Sequence, residues 1–276
     1  MTRPLLRLAL LSALVGASAC KKEETAKPEG EGGVTTTEGS SGGDGGGTTV
    51  PQEPDPPAIA EARAKILRGD FQPAIGALQP LVGDLEQRQQ VRATGLAAGW
   101  LALAVVNDVA ENARESAEKA MAMGEQSGDK EVQVVAKIAF GAYNLGIEKF
   151  PEAAAAFEEA YKLDGQGPNA ALALVYFGET KISMAFDGDD KITKPEELDV
   201  AAGTFNKAKT LAAGQAGNEV LAARATVGLA AVARYKNDAN KTCTFLAEAI
   251  KGYEATQAAA YLTDGASALK DAANCK

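Results

Sequence analysis

The densest group of ligating side chains in this 276-residue chain is Asp187, Asp189 and Asp190, followed by Glu196 and Glu197. Clustered carboxylate oxygens are what calcium takes. Counted from Asp187, however, the sixth place is Ile192 rather than glycine and the twelfth is Leu198 rather than glutamate, so the EF-hand pattern is absent. The stretch therefore reads as a solvated loop in preference to a calcium site, and no metal site is assigned to it. The chain contains no histidine, which excludes Ser-His-Asp and Cys-His catalysis and any His-based zinc site. Its glycine run at Gly42 to Gly47 has no strand before it and no Lys-Ser/Thr after it, so it is not a phosphate-binding loop. Carboxylates such as Glu158 and Glu159 fall on the outward face of a helical pattern. No catalytic residue and no cofactor is expected; the chain reads as a binding protein, not an enzyme.

The N-terminus carries an address. Arg3 and Arg7 precede an apolar run, Leu8 to Val15, that is too short to span a bilayer. Gly16-Ala17-Ser18-Ala19-Cys20 follows, and Lys21-Lys22-Glu23-Glu24 come directly after. This resembles the lipobox of bacterial lipoproteins, with Ala17 where leucine is usual. The resemblance implies a signal peptide over 1–19, lipidation of Cys20, and a place in the cell envelope. Lys21 in place of aspartate implies an outer-membrane lipoprotein facing the periplasm or the cell surface. From 20 to 57 the chain is rich in Gly, Thr and Pro and has nothing to bury, which predicts a disordered tether. As a coil it would span roughly 30–37 Å. Signal removal takes two of the 28 basic residues and leaves 26 against 37 acidic ones, a formal charge of −11. That charge argues against nucleic acid and against lying flat on anionic lipid.

The remainder, 58–276, is alanine-rich and helical in period. In the stretch Phe140 to Asp164, Phe150, Ala153, Phe157 and Ala160 share one stripe of a 3.6-residue helix, and Gly141 lies in the helix before it. The same small-large-small stripe returns as Ala201, Phe205 and Ala208 after Gly178. Ala74, Ala113 and Ala153 open second helices at intervals of 39 and 40 residues. These residues resemble tetratricopeptide repeats, whose usual period is about 34. The resemblance implies an all-α fold, a right-handed α-solenoid of about five helical hairpins. A final helix from about Glu254, broken near Thr263-Asp264-Gly265, would cap it. Pro80 is expected to shorten or kink the second helix, and Thr193 with Glu196 has the spacing of a capping box.

Such families hold a protein or peptide partner in the concave groove lined by their first helices. Trp100, directly after Gly99, would then anchor a partner in the groove or pack as core, and Glu179 takes the equivalent place after Gly178. The function implied is a lipid-anchored scaffold; the alternative is a periplasmic carrier of a small molecule or peptide serving a transporter. Lipidation of Cys20 would leave Cys243 and Cys275 in an oxidising compartment. Cys243 lies on the second helix of the fifth repeat, and Cys275 ends the segment that should fold back onto it. A disulfide between them is expected.

Overall fold

Helix-forming alanines and apolar residues at every third or fourth place produce an all-α chain. The computed structural model describes residues 53–189 and 191–275. The expectations for the signal peptide, for Cys20 and for most of the tether therefore fall outside the described residues, as does Asp190. Eleven helices occur among them: α1 Pro57–Arg68, α2 Phe71–Gln87, α3 Val91–Asp108, α4 Arg114–Ser127, α5 Lys130–Gly146, α6 Phe150–Leu163, α7 Ala170–Met184, α8 Pro195–Ala213, α9 Glu219–Tyr235, α10 Ala239–Ala255 and α11 Ala260–Ala272. Consecutive helices pack on one another, and α1, α3, α5, α7 and α9 also pack in a row.

Small residues set how closely the helices approach. A Cβ added at Gly141 would stand 2.7 Å from the Phe157 ring, and one at Gly178 would stand 2.7 Å from Phe205. A Cβ at Gly228 on α9 would stand 2.4 Å from the same Phe205 ring, so one side chain fills the gap among α7, α8 and α9. Gly95 and Gly99, one turn apart on α3, admit Val132 and Val135 of α5 in the same way. Between α1 and α2 the chain reverses at Gly69, whose φ of +93° favours glycine. There the amide of Asp70 returns to the carbonyl of Lys65 at 2.9 Å, closing a Schellman turn.

Three local expectations are corrected. Pro80 does not shorten α2, which runs through it to Gln87, because Pro80 and Gly76, whose carbonyl loses its partner, both lie on the exposed face. The capping box at Thr193 is not formed. The amides of Thr193 and Lys194 both bond Ala185 O, which leaves Lys194 as the residue before α8. The terminal helix runs unbroken through Thr263-Asp264-Gly265; the break falls earlier, at Gln257, where φ is +53°.

The row of helices also closes on itself, a feature no sequence stripe announces. Helix α1 packs against α9. The amide of Ala259 donates to Arg68 O at 2.8 Å, and the Tyr261 hydroxyl lies over Gly69. Leu262 and Ala266 of α11 join the same apolar cluster as Ile59, Ala62 and Ile66 of α1. At its far end α11 is tied to α10 by a disulfide, Cys243–Cys275, with a Cα–Cα distance of 5.4 Å. The bond closes a loop of 32 residues. It restricts the unfolded chain by about 3–4 kcal/mol in the chain-entropy model. Reduction, verified by thiol counting, is expected to lower the melting temperature and to loosen α11 first in hydrogen exchange. Identical exchange of α11 in the oxidised and reduced protein would refute that role.

Candidate functional site

The closed row leaves an interior that is mostly apolar but holds two polar groupings. The first starts on α7 and α9, two largely apolar helices that each turn one charged side chain inward, Glu179 and Arg224. Glu179 on α7 receives Nε and Nη2 of Arg224 on α9, both at 2.8 Å. Their side chains are 13% and 21% exposed, so the pair is largely withdrawn from water. The Arg224 guanidinium lies 4.4 Å over the Tyr176 ring. Burial lowers the arginine's proton affinity, but Glu179 and the Tyr176 hydroxyl more than offset it and hold the pKa above its ordinary value. Tyr176 stacks on Phe157 at 5.3 Å, and its hydroxyl sits 2.9 Å from Asn107 Nδ2 on α3. Tyr253 on α10 and Tyr261 on α11 face the same region. Burial pushes both phenols above their ordinary range, against the opposing pull of Arg224.

The second grouping centres on Arg63 of α1. Its Nε donates to Asn169 Oδ1 at 3.2 Å; its Nη2 donates to the Pro168 carbonyl at 3.0 Å and to Asn218 Oδ1 at 2.6 Å. The guanidinium stands 5.6 Å from the Trp100 ring centre. Asn169 and Asn218 occupy the positions just before α7 and α9, yet neither side chain caps its helix. Arg63 has taken their oxygens. Burial lowers its pKa more than distant Glu131 raises it.

These placements bear on two expected roles. Trp100 is 2% exposed and lies under Arg63, within the apolar core, so it is not available as a groove anchor. Closure of the row against α1 is the physical reason. The carboxylate of Glu179 is already held at both oxygens by Arg224, so it is not a free ligand contact. Asp187 Oδ1 accepts the amides of Asp189 at 3.0 Å and Lys191 at 2.9 Å, while Glu197 pairs with Lys181 at 3.0 Å. Asp187 Oδ1 and the Glu197 carboxylate are thus engaged within the protein. Among the described residues no three His, Cys, Asp or Glu side chains gather as a metal site.

No family model matches the chain, and no curated protein matches it. Among solved structures it is similar to "Crystal structure of BtubC (BKLC) from P. vanneervenii", at 14% identity and a TM-score of 0.48. That alignment covers 79% of this chain and 89% of the other.

Sequence reading missed Arg63, Arg224, Asn169 and Asn218. For Arg224 a signal existed: it and Glu179 are lone charges inside otherwise apolar helical faces, and such charges are rarely buried unless paired. For Arg63 there was none. Its partners lie 105 to 155 residues away and meet it only because the row closes.

The chain entering α1 is also fixed. Glu53 pairs with Arg88, and Asp55 pairs with Arg92, which also bonds Asp129 at 3.1 Å and Glu131 at 2.7 Å. A segment without apolar residues is thereby pinned by charge beside the starts of α3 and α5. No helix among the described residues is long and apolar enough to cross a membrane.

Proposed function

We propose that this protein is a lipid-anchored scaffold of tetratricopeptide-like hairpins that binds a protein or peptide at the bacterial cell envelope. The observation that carries the repeat reading is the recurring close approach of a first-helix glycine to a second-helix phenylalanine, Gly141 to Phe157 and Gly178 to Phe205, where an added Cβ would stand only 2.7 Å from the ring in each case. The residues between these marks vary freely, as they do in a repeat array whose stability is built from neighbouring units. Trp100 and Glu179 are engaged inside, so the partner binds on faces of the array other than the one they were expected to line. Lipidation at Cys20 supplies the anchor. Several acyl chains hold a protein stably, since each buried CH₂ contributes about 0.8 kcal/mol. The ion pairs of Glu53 and Asp55 fix where the tether joins the first hairpin.

Replacing Cys20→Ser tests the anchor. The variant is expected to leave the membrane pellet or to accumulate as uncleaved precursor; an unmodified Cys20 on mass spectrometry of the wild-type mature N-terminus would refute lipidation. Crosslinking followed by affinity purification from native membranes tests the scaffold. A stoichiometric co-purifying protein supports it, whereas a tightly bound metabolite without a protein partner would favour the carrier instead.

A further inference from the structure

Arg63 is a partly buried cation without a matching anion. All three of its hydrogen bonds go to neutral oxygens, those of Asn169, Pro168 and Asn218. Glu131 attracts it through space, but that carboxylate is bonded to Arg92 at 2.7 Å. Nη1 makes no hydrogen bond among the described residues and lies beside the turn at Gly217, 3.9 Å from where a side chain at that position would begin. Buried charges are ordinarily paired, because an isolated one loses its hydration with nothing in return.

Two further donors converge on the same place. Helices α7 and α9 both begin there, and both lack a side-chain cap. Their first turns carry the positive end of the helix dipole, although the Ala170 amide already donates to Gly167 O at 3.1 Å and the Leu221 amide to Asn218 O at 2.9 Å. Asn169 is 2% exposed, and its Nδ2, on the same carboxamide that accepts from Arg63, has no hydrogen-bond partner. A buried amide N–H₂ left unpaired costs free energy, and here it sits next to an unpaired guanidinium. Every unmet group at this junction is a donor or a cation. Exposed Glu219 in the first turn of α9 is the nearest opposing charge in sequence, and its side chain is turned to solvent.

We propose that the junction of Arg63, Asn169 and the N-termini of α7 and α9 is an oxyanion-binding site, taking a carboxylate or phosphate group. With Nε and Nη2 already donated, the N–H groups of Arg63 Nη1 are those left to bond such a group, a charge-assisted contact that suits either. Helix N-termini bind such groups through their free amides. The anion would bridge α1 to α7 and α9, so its binding is coupled to closure of the row. This site is independent of the scaffold reading and stands or falls without it.

Trp100, the single tryptophan, lies against Arg63 and reports on the site. The full-length protein in detergent is titrated with sodium phosphate and with sodium acetate, each against sodium chloride at matched ionic strength. Saturable change in Trp100 fluorescence, with a rise in melting temperature, is expected for an oxyanion and not for chloride. Response to phosphate alone assigns a phosphate group; response to both admits a carboxylate. Because Arg63→Gln would disturb closure itself, Asn169→Asp is the deciding variant. It places a carboxylate beside Arg63 and at the start of α7, so its melting temperature should rise in plain buffer. Its affinity for phosphate or acetate should fall about tenfold or more, equivalent to at least about 1.4 kcal/mol. No saturable response in the wild type, or an equal one in Asn169→Asp, overturns the proposal.

Discussion

Replacing Phe205→Ala is expected to destabilise the protein by about 3–5 kcal/mol, the usual cost of emptying a buried phenylalanine site. The ring is fully buried, and it is the contact surface for two glycines on two different helices. Neither neighbour has a side chain that can collapse into the void, so relaxation requires helix movement rather than rotamer change. The same geometry predicts a reciprocal effect. Gly228→Ala alone should overpack the ring and cost on the order of 1–3 kcal/mol. In the Phe205→Ala background the added methyl enters vacated space, and the cost should vanish or change sign. A double-mutant cycle by urea unfolding measures this coupling directly. If Gly228→Ala costs the same in both backgrounds, Phe205 does not bridge α8 to α9, and the packing described for these three helices is wrong.

That example marks what the sequence made legible. Gly178, Ala201, Phe205 and Ala208 are recognisable as one packing stripe because helix contacts between consecutive elements leave a short-range pattern of sizes. The pairing of α5 with α6, and of α7 with α8, could be read in that way. Cys243 and Cys275 were legible as well, since two thiols at the open ends of one helical hairpin, α10 and α11, need only local folding to meet. The closure between α1 and the end of the chain left no such trace. It depends on small rotations between successive helices accumulating over the whole row, and no residue pattern of ten or twenty positions records that sum. The sequence therefore left Trp100 open as groove anchor or as core, and α1 and Arg63, which cover it, place it in the core. That Pro80 leaves α2 its full length has a different reason. A missing hydrogen bond is costly only where the freed carbonyl is buried, and the periodicity of α2 places Gly76 and Pro80 on its wet face. Gly265 failed similarly, since glycine weakens a helix by about 1 kcal/mol and cannot by itself end one.

Removing one partner of the interior ion pair should have the other large effect, and it separates two roles for the same residue. Glu179→Ala leaves the Arg224 guanidinium without its two 2.8 Å acceptors while it remains against Tyr176 and near Tyr253. Breaking a buried pair in this way costs about 3–5 kcal/mol, chiefly because the surviving charge is stranded. Arg224→Met alone strands a carboxylate and should be similarly severe. The double variant Glu179→Met with Arg224→Met removes both charges and fills the space with adaptable apolar side chains, and such replacements are often neutral or better. It should recover most of the lost stability. Raising the pH does not mimic these variants, because the pair holds the arginine's pKa above its already high ordinary value. Were Glu179 instead a partner contact, Glu179→Ala would leave the urea midpoint where it was and reduce capture of the partner from native membranes. A stability loss in both single variants that the double variant repairs assigns the residue to the interior. An unchanged midpoint in Glu179→Ala would return it to the surface and reopen the inner face of α7 as a place where a partner binds.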